Sequence, residues 1–274
     1  MTGTIGDVAI VTGASGGMGR AIAMALAAQG WALILCDLRA EPLEALKQSL
    51  PADADVATVA GDVTAPDLST RILSAIGGRK IGAFVHTAGL SPSMGDGERV
   101  FAVNFTATKA LTEALLPQMA DGGIAILFAS NSAYMIARAP FGGAVAKVLK
   151  GKRSLIARLM LRSPRTAYPL SKRAVQLYAA SMAPAFGAVG ARIVSLSPGI
   201  IDTDMARREQ SVEPAMAKLL AHTPLGRSGR ADEIASVVAF LASPAASYIS
   251  GTDILIDGGS VAATNHAGGP TKLK

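Results

Sequence analysis

Two ionisable side chains in the second half of the chain, Tyr168 and Lys172, are separated by three residues in the run YPLSK. On a helix, this spacing places both side chains on the same face. The pKa of a tyrosine hydroxyl is about 10 in water, which is too high for a base at neutral pH, but a neighbouring ammonium stabilises the phenolate and lowers that pKa. We therefore expect Tyr168 to exchange a proton with a substrate oxygen, assisted by Lys172.

A glycine-rich loop near the start of the chain has the composition of a phosphate site. The apolar run Val8 to Val11 predicts a buried strand, and the stretch Arg20 to Gln29 is rich in helix-forming residues. Between them, the backbone can turn sharply and approach a ligand closely at Gly13, Gly17 and Gly19. Because a helix that begins near Gly17 directs free N–H groups and its positive end at the loop, we predict a dinucleotide site there.

An aspartate after the second predicted strand bears on which dinucleotide binds. Ala32 to Cys36 is an apolar run, and Asp37 follows it, roughly 20 residues beyond the glycine loop. A carboxylate in this position accepts hydrogen bonds from ribose hydroxyls and repels a 2′-phosphate. Arg39 lies two residues further on and would instead attract that phosphate. On balance we expect NAD as the cofactor rather than NADP.

Strand and helix patterns alternate along the rest of the chain. The further predicted strands are Val56 to Ala60, Ile81 to Val85, Ile124 to Phe128, Ala191 to Leu196 and Ile254 to Ile256. The main predicted helices are Val100 to Leu116, Tyr168 to Phe186 and Asp232 to Leu241. This alternation predicts an α/β protein with one single-domain Rossmann fold over residues 1–259, built on a doubly wound parallel sheet of about seven strands. Residues 260–274 are small and polar, so we expect a flexible tail.

The order of these features resembles that of the short-chain dehydrogenase/reductase family. The features are the glycine spacing T-G-x-x-x-G-x-G, the acid after strand two, Asn104, Ser130, the motif Y-x-x-x-K and Pro198-Gly199. One turn departs from the family pattern, because the sequence HTAG at 86–89 stands where Asn-Asn-Ala-Gly is usual. The small Ala-Gly end of that turn is kept, and the other motifs follow the family's order.

The resemblance implies an NAD(P)-dependent hydride transfer between the cofactor and a secondary alcohol or ketone. It assigns the catalytic roles to Asn104, Ser130, Tyr168 and Lys172. Ser132 stays open as an alternative to Ser130, because side chains two residues apart on a strand point the same way. Besides Tyr168 and Lys172, the implied cofactor contacts are Gly13, Ser15, Gly17, Met18, Gly19, Asp37, Asp62, Val63, Ala88, Gly89, Pro198, Gly199, Ile201 and Thr203.

Composition limits the setting of this chemistry. The 274 residues include a single cysteine, Cys36, and their formal charge of +6 is concentrated between Ile136 and Thr166. We find no membrane span, secretory signal or metal-ligand cluster, and we expect a cytoplasmic protein without a metal. The basic segment, residues 136–166, predicts two short amphipathic helices separated by Gly151. Because the segment begins after Ser130 and ends at Tyr168, we expect it to form a helical lid over the substrate site.

The expected partners are a small-molecule substrate and further copies of the chain. The length of the basic segment resembles that of bacterial hydroxysteroid dehydrogenases, which favours a hydrophobic, steroid-like or alicyclic substrate. The family also implies a homotetramer, or else a dimer, formed through the helices Val100 to Leu116 and Tyr168 to Phe186.

Four other functions are weighed against this one. A 3-oxoacyl-carrier-protein reductase would use the basic segment to bind an acidic carrier, although Asp37 disfavours the NADPH that such enzymes prefer. A non-catalytic NAD-binding sensor would not need all four catalytic residues. A sugar epimerase or dehydratase of the extended branch would space its first glycines differently. Nucleic-acid binding is disfavoured because the basic segment lacks interleaved aromatic residues.

Overall fold

The computed structural model describes residues 6–136, Val145, Lys147, 155–207 and 219–267. Its strands are β1 Val8–Thr12, β2 Ala32–Asp37, β3 Val56–Ala60, β4 Ile81–His86, β5 Met119–Phe128, β6 Arg192–Pro198 and β7 Asp253–Ile256. Its α-helices are α1 Gly17–Ala28, α2 Ala40–Gln48, α3 Leu68–Ile76, α4 Gly97–Phe101, α5 Thr108–Leu115, α6 Leu155–Met160, α7 Pro164–Gly187, α8 Ala231–Leu241 and α9 Ser260–His266. Each predicted strand is present.

The strands form one parallel sheet in the order β3-β2-β1-β4-β5-β6-β7. After β3, at one edge of the sheet, the chain returns to the middle and lays β4 beside β1. The strand order therefore reverses between β1 and β4, which is where doubly wound folds bind ligands, at the carboxyl ends of the strands. The predicted fold class is confirmed.

Alternate residues of the buried strands supply a core on each face of the sheet. In β1, Val8 and Ile10 belong to one buried cluster, whereas Ala9 and Val11 belong to the other. All four side chains are fully buried, as expected for a central strand covered by helices on both faces. Helix α7 packs on the first face with α5, and α1 packs on the second face with α8.

The predicted helix Val100 to Leu116 is interrupted at its centre. The structure has α4, a π-helical segment over Ala102–Ala107 and then α5, which ends at Leu115. A π segment widens the helix locally and changes the hydrogen-bonding spacing of its carbonyls, a feature often found at functional sites. Asn104, to which the family resemblance assigns a catalytic role, lies within this segment, so the helix is opened at that residue.

One helix begins earlier than predicted, and the predicted flexible tail begins with a helix. Helix α7 begins at Pro164, one turn before the predicted start at Tyr168, because Pro164 follows the extended Ser163 and suits a first helical position. The predicted flexible tail is ordered at its start, where α9 covers Ser260–His266. The carboxylate of Asp257 accepts hydrogen bonds from the N–H groups of Gly259 and Val261, which holds the beginning of this helix.

The basic segment is only partly described. Helix α6 lies where the second amphipathic helix is predicted, but it buries Ala157 and Met160 and leaves Leu155 and Leu159 of the expected apolar side exposed. The break at Gly151 lies outside the described residues, so the lid stays a prediction. Among the residues that the structure describes, no helix combines the length and apolar character needed to cross a bilayer.

Candidate active site

A cavity of about 330 Å³ opens at the carboxyl edge of the sheet, at the reversal of the strand order. Its wall comes from the loops after β1, β2, β3 and β4 and from the segment after β6. The predicted cofactor residues that line it are Gly13, Ser15, Gly17, Met18, Gly19, Asp37, Asp62, Val63, Ala88, Gly89 and Thr203. The structure thus brings together, around one cavity, residues spread over 190 positions of the sequence (13 to 203).

The glycine loop requires glycine for two separate reasons. Gly13 has a φ of +65°, in the left-handed region that side chains disfavour. At Gly19, an added Cβ would lie 2.1 Å from the carbonyl oxygen of Gly13, and at Gly17 it would lie 2.7 Å from Cγ2 of Thr203. Side chains at Gly17 and Gly19, in the first turn of α1, would therefore clash with Thr203 and with the backbone of Gly13. The free N–H groups of that turn suit a diphosphate.

Asp37 is tied to the glycine loop. Its Oδ2 accepts hydrogen bonds from the N–H and the hydroxyl of Ser15, at 2.9 and 2.6 Å, and its Oδ1 accepts one from the N–H of Leu38 at 2.7 Å. An ionised carboxylate offers about four acceptor positions, so these three donors leave capacity for a ribose hydroxyl. Two predicted cofactor residues, Ser15 and Asp37, are thus held together across the cavity wall.

The carboxylate of Asp62 also accepts hydrogen bonds from three donors, and one of them, Arg99, was not predicted from the sequence. The N–H and hydroxyl of Thr64 donate to Oδ1 at 2.8 and 2.7 Å, and the guanidinium of Arg99 donates to Oδ2. Partial burial raises the pKa of Asp62, but these hydrogen bonds outweigh it and the pKa is lowered, so the carboxylate stays ionised. Arg99 lines the same cavity and was missed, because nothing in the sequence links it to a residue 37 positions earlier.

Lys172 is buried beside Tyr168, which was predicted to lie on the same face of the helix. Its Nζ donates to the carbonyl oxygen of Phe128 at 2.9 Å and lies 5.8 Å from the centre of the Tyr168 ring. Burial lowers the pKa of Lys172 from 10.5 to about 8. The ammonium is therefore still charged at neutral pH, although it is held away from water.

Asn104 and Lys172 meet at Gly89. The amide of Asn104 accepts from the N–H of Leu90 at 2.7 Å, and it donates to the carbonyl of Leu90 at 2.9 Å and to the hydroxyl of Ser171 at 3.3 Å. A Cβ added to Gly89 would lie 3.0 Å from Oδ1 of Asn104 and 3.3 Å from Nζ of Lys172. Two polar side chains predicted from separate motifs therefore lie against one backbone position of the cavity wall.

The two candidate serines form a hydrogen-bonded pair after β5. The N–H and the hydroxyl of Ser132 donate to Oγ of Ser130 at 3.2 and 3.1 Å. Oγ of Ser130 also lies 3.4 Å from the amide oxygen of Asn131, to which it can donate. Ser130 is buried and Ser132 half-buried. The argument from strand spacing does not apply, because β5 ends at Phe128 and Ser132 belongs to a 3-10 helix over Asn131–Ile136. The choice of Ser130 as the catalytic serine stays a prediction.

Three predicted contacts lie apart from the main cavity wall. Pro198 ends β6, and Gly199 follows it with no room for a Cβ, which would lie 2.8 Å from the backbone of Asp257. Ile201 is buried and lines a second cavity of about 100 Å³, together with Ile200. Their expected contacts with the cofactor therefore stay predictions.

Nowhere in the described ranges do three or more His, Cys, Asp or Glu side chains come together as a metal site requires.

His86, expected to be a turn residue, is instead the buried last residue of β4. Its Nδ1 is hydrogen-bonded to Oγ1 of Thr12 at 2.8 Å, while its Nε2 has no partner within the described residues. Burial, followed by the nearby charge of Lys172, lowers the pKa of His86 from 6.5 to about 3. The imidazole is therefore neutral at physiological pH.

Comparisons with known proteins match almost the whole chain. A family model described as short chain dehydrogenase matches residues 7–141, and one described as enoyl-(acyl carrier protein) reductase matches residues 153–261. The chain is 31% identical to galactitol 2-dehydrogenase (L-tagatose-forming) of Cereibacter sphaeroides, over 93% of this chain and 94% of that protein. It is 32% identical to D-threitol dehydrogenase of Mycolicibacterium smegmatis, over 93% and 92% respectively. A crystal structure of a glucose/ribitol dehydrogenase from Brucella melitensis has a TM-score of 0.74 at 30% identity, covering 93% of this chain and 96% of that one.

Proposed function

Because the chain belongs to the short-chain dehydrogenase/reductase family and is an oxidoreductase of that family, we propose that it is an NAD-dependent dehydrogenase of secondary alcohols. The observation that supports this most is the buried ammonium of Lys172, which lies near the ring of Tyr168 and against Gly89 in the wall of a cavity. The glycine loop beside α1 fits the diphosphate of a nicotinamide dinucleotide, since side chains would fill the space at Gly17 and Gly19.

In the proposed mechanism, Tyr168 carries the proton, and a nicotinamide held in the cavity would supply the hydride acceptor. During oxidation, Oη of Tyr168 accepts the proton of the substrate hydroxyl as the carbon–hydrogen bond gives up its hydride. The Lys172 ammonium stabilises the phenolate, and its burial strengthens this interaction. The hydroxyl of Ser130 donates to the substrate oxygen once it turns away from Asn131. Asn104, in the opened helix, holds the wall against which Lys172 lies.

The preference for NAD over NADP rests on Asp37. Its carboxylate lines the cavity at the end of β2 and is anchored by Ser15, so it cannot easily swing away from a ribose. A 2′-phosphate placed there would face this negative charge at short range. Arg39, at the start of α2, is exposed and does not line the cavity.

The proposed substrate is a small secondary alcohol or ketone. The names of two similar proteins indicate sugar alcohols, galactitol and threitol, while the exposed leucines of α6 support the hydrophobic, steroid-like or alicyclic class. The match of residues 153–261 to a carrier-protein reductase model supports an acyl carrier substrate as the alternative. Assays with NAD and a panel of polyols, cyclic alcohols and carrier-bound 3-hydroxyacyl groups separate these classes.

Replacing Tyr168 by phenylalanine tests the mechanism. We expect kcat to fall roughly 10³-fold, because general acid–base catalysis contributes 10²–10⁴-fold, while the Kd of NADH changes by no more than about threefold. Tyr178→Phe is the matched control, since it removes a hydroxyl from the same helix that bonds the carbonyl of Lys109 in the core. A Tyr168→Phe variant that kept about a tenth of the activity would refute the role of Tyr168.

A further inference from the structure

Arg99 projects from α4 into the wall of the cavity, on the side formed by the loops after β2 and β3. Its Nη1 donates to Oγ1 of Thr64 at 3.0 Å, and its Nη2 donates to Oδ2 of Asp62. Two bonds from different nitrogens fix both the position and the plane of a guanidinium. Although the side chain is 44% exposed, Arg99 is therefore held in one orientation at the mouth of the cavity.

Arg99 also differs in charge from the other ionisable residues of the cavity wall. Among the described residues that line it, the acidic ones are Asp37, Asp62 and Asp204, and the only basic one is Arg99. A nicotinamide dinucleotide brings an anionic diphosphate into a wall that already contains three carboxylates. Arg99 pairs with Asp62 and, after the hydrogen bonds from Thr64, contributes to the lowered pKa of that carboxyl.

We propose that Arg99 is a cofactor-binding residue that packs the flat face of its guanidinium on the adenine ring. This rests on the proposed use of a nicotinamide adenine dinucleotide; the family resemblance implies that Asp62, the hydrogen-bond partner of Arg99, contacts the adenine. A planar, weakly hydrated guanidinium stacks well on aromatic rings, and nucleobases are bound in this way. The bonds to Thr64 and Asp62 are made through the edge of the guanidinium, so they leave its face available to a ring.

The proposal predicts a loss of affinity confined to ligands that contain adenine. We expect Arg99→Gln to raise the Kd of NADH and of AMP about tenfold, which corresponds to about 1.4 kcal/mol, in calorimetric titrations. Nicotinamide mononucleotide, measured by its displacement of NADH, is expected to bind as it does to the unchanged protein. Arg99→Lys should not restore the affinity, because an ammonium keeps the charge but lacks the planar face.

A double variant separates direct contact from an effect through Asp62. In an Asp62→Asn background, Arg99→Gln should still weaken AMP binding several-fold if Arg99 contacts the base. Arg79→Gln is the control, because Arg79 and its ion-pair partner Asp55 lie away from the cavity, and we expect unchanged affinities. Thermal melting of the ligand-free variants checks that each one is folded.

The possible outcomes distinguish this inference from the proposed function. Unchanged AMP affinity in Arg99→Gln, an equal loss for nicotinamide mononucleotide, full rescue by lysine, or no further loss in the Asp62→Asn background would each overturn the role of Arg99. A protein that binds AMP and NADH through Arg99 but oxidises no alcohol would instead refute the proposed activity and leave this inference standing. A protein that binds neither ligand would refute both.

Discussion

Replacing Lys172 by methionine should make the protein more stable while removing its activity. Burial lowers the pKa of Lys172 from 10.5 to about 8, and each pKa unit corresponds to about 1.4 kcal/mol. Keeping the side chain charged at neutral pH therefore lowers the free energy of unfolding by about 3 kcal/mol. Methionine has a similar length and no charge. It leaves the carbonyl of Phe128 without the Nζ donor, which costs about 1 kcal/mol.

The net expectation is a gain of about 2 kcal/mol near pH 7, which raises Tm by about 4 °C in a chain of this size. The gain must shrink as the pH rises. Between pH 8 and 10.5 the unfolded chain binds a proton at Lys172 that the folded chain has released, so the natural protein becomes more stable across this range. The methionine variant has no such group. By about pH 9.5 its advantage should have disappeared.

Denaturant unfolding of both proteins at several pH values, with activity measured in parallel, is the required assay. Lys109→Met is the control, because Lys109 is an exposed lysine paired with Glu113 and its loss should change stability by less than about 0.5 kcal/mol. A methionine variant that is less stable than the natural protein at pH 7 would refute the reasoning. So would an advantage that does not change with pH.

Three further predictions concern His86, Asp37 and the assembly. The lowered pKa of His86 means that the unfolded chain gains a proton below pH 6.5 that the folded chain excludes down to about pH 3. As the pH is lowered from about 6.5 to 5, the free energy of unfolding should therefore decrease by about 2 kcal/mol less in His86→Asn than in the natural protein. Equal decreases in denaturant unfolding would contradict this. Asp37→Ala should lower the ratio of kcat/KM for NAD to that for NADP about tenfold or more, and a natural protein that favours NADP would refute the cofactor assignment. Sedimentation should show a homotetramer, or else a dimer, formed through the helical segments Val100 to Leu116 and Tyr168 to Phe186, and a monomer at micromolar concentration would exclude both.

Most of the fold could be predicted because each strand is a short apolar run that ends at a polar or small residue. The exception in length is β5, which begins at Met119 rather than at Ile124. Asp121, Gly122 and Gly123 interrupt its apolar pattern, and the pairing with β4 is irregular at the same place. The sequence of an irregular strand of this kind resembles that of a turn, because polar residues and glycines interrupt the apolar pattern by which strands are predicted.

The side-chain network of the site was less predictable than the fold. Tyr168 and Lys172 could be paired because four positions on a helix fix a shared face. Arg99 and Asp62 are joined only by the packing of α4 beside the loop after β3, and no local rule links them. The start of α7 could have been predicted, because the sequence Ser163-Pro164 places a favourable first residue after a common N-cap type.

The turn after β4 shows which parts of the family pattern the site requires. The hydroxyl of Thr87 donates to the carbonyl oxygen of Thr12 at 2.6 Å, and His86 bonds to the Thr12 side chain, so both substituted residues still connect β4 to β1. Many polar side chains can make such a connection. Gly89 has no equivalent freedom, because any side chain there would displace Asn104 and Lys172 by a few tenths of an ångström. The retained Gly89 therefore follows from the positions of Asn104 and Lys172, whereas His86 and Thr87 each supply a bond to Thr12.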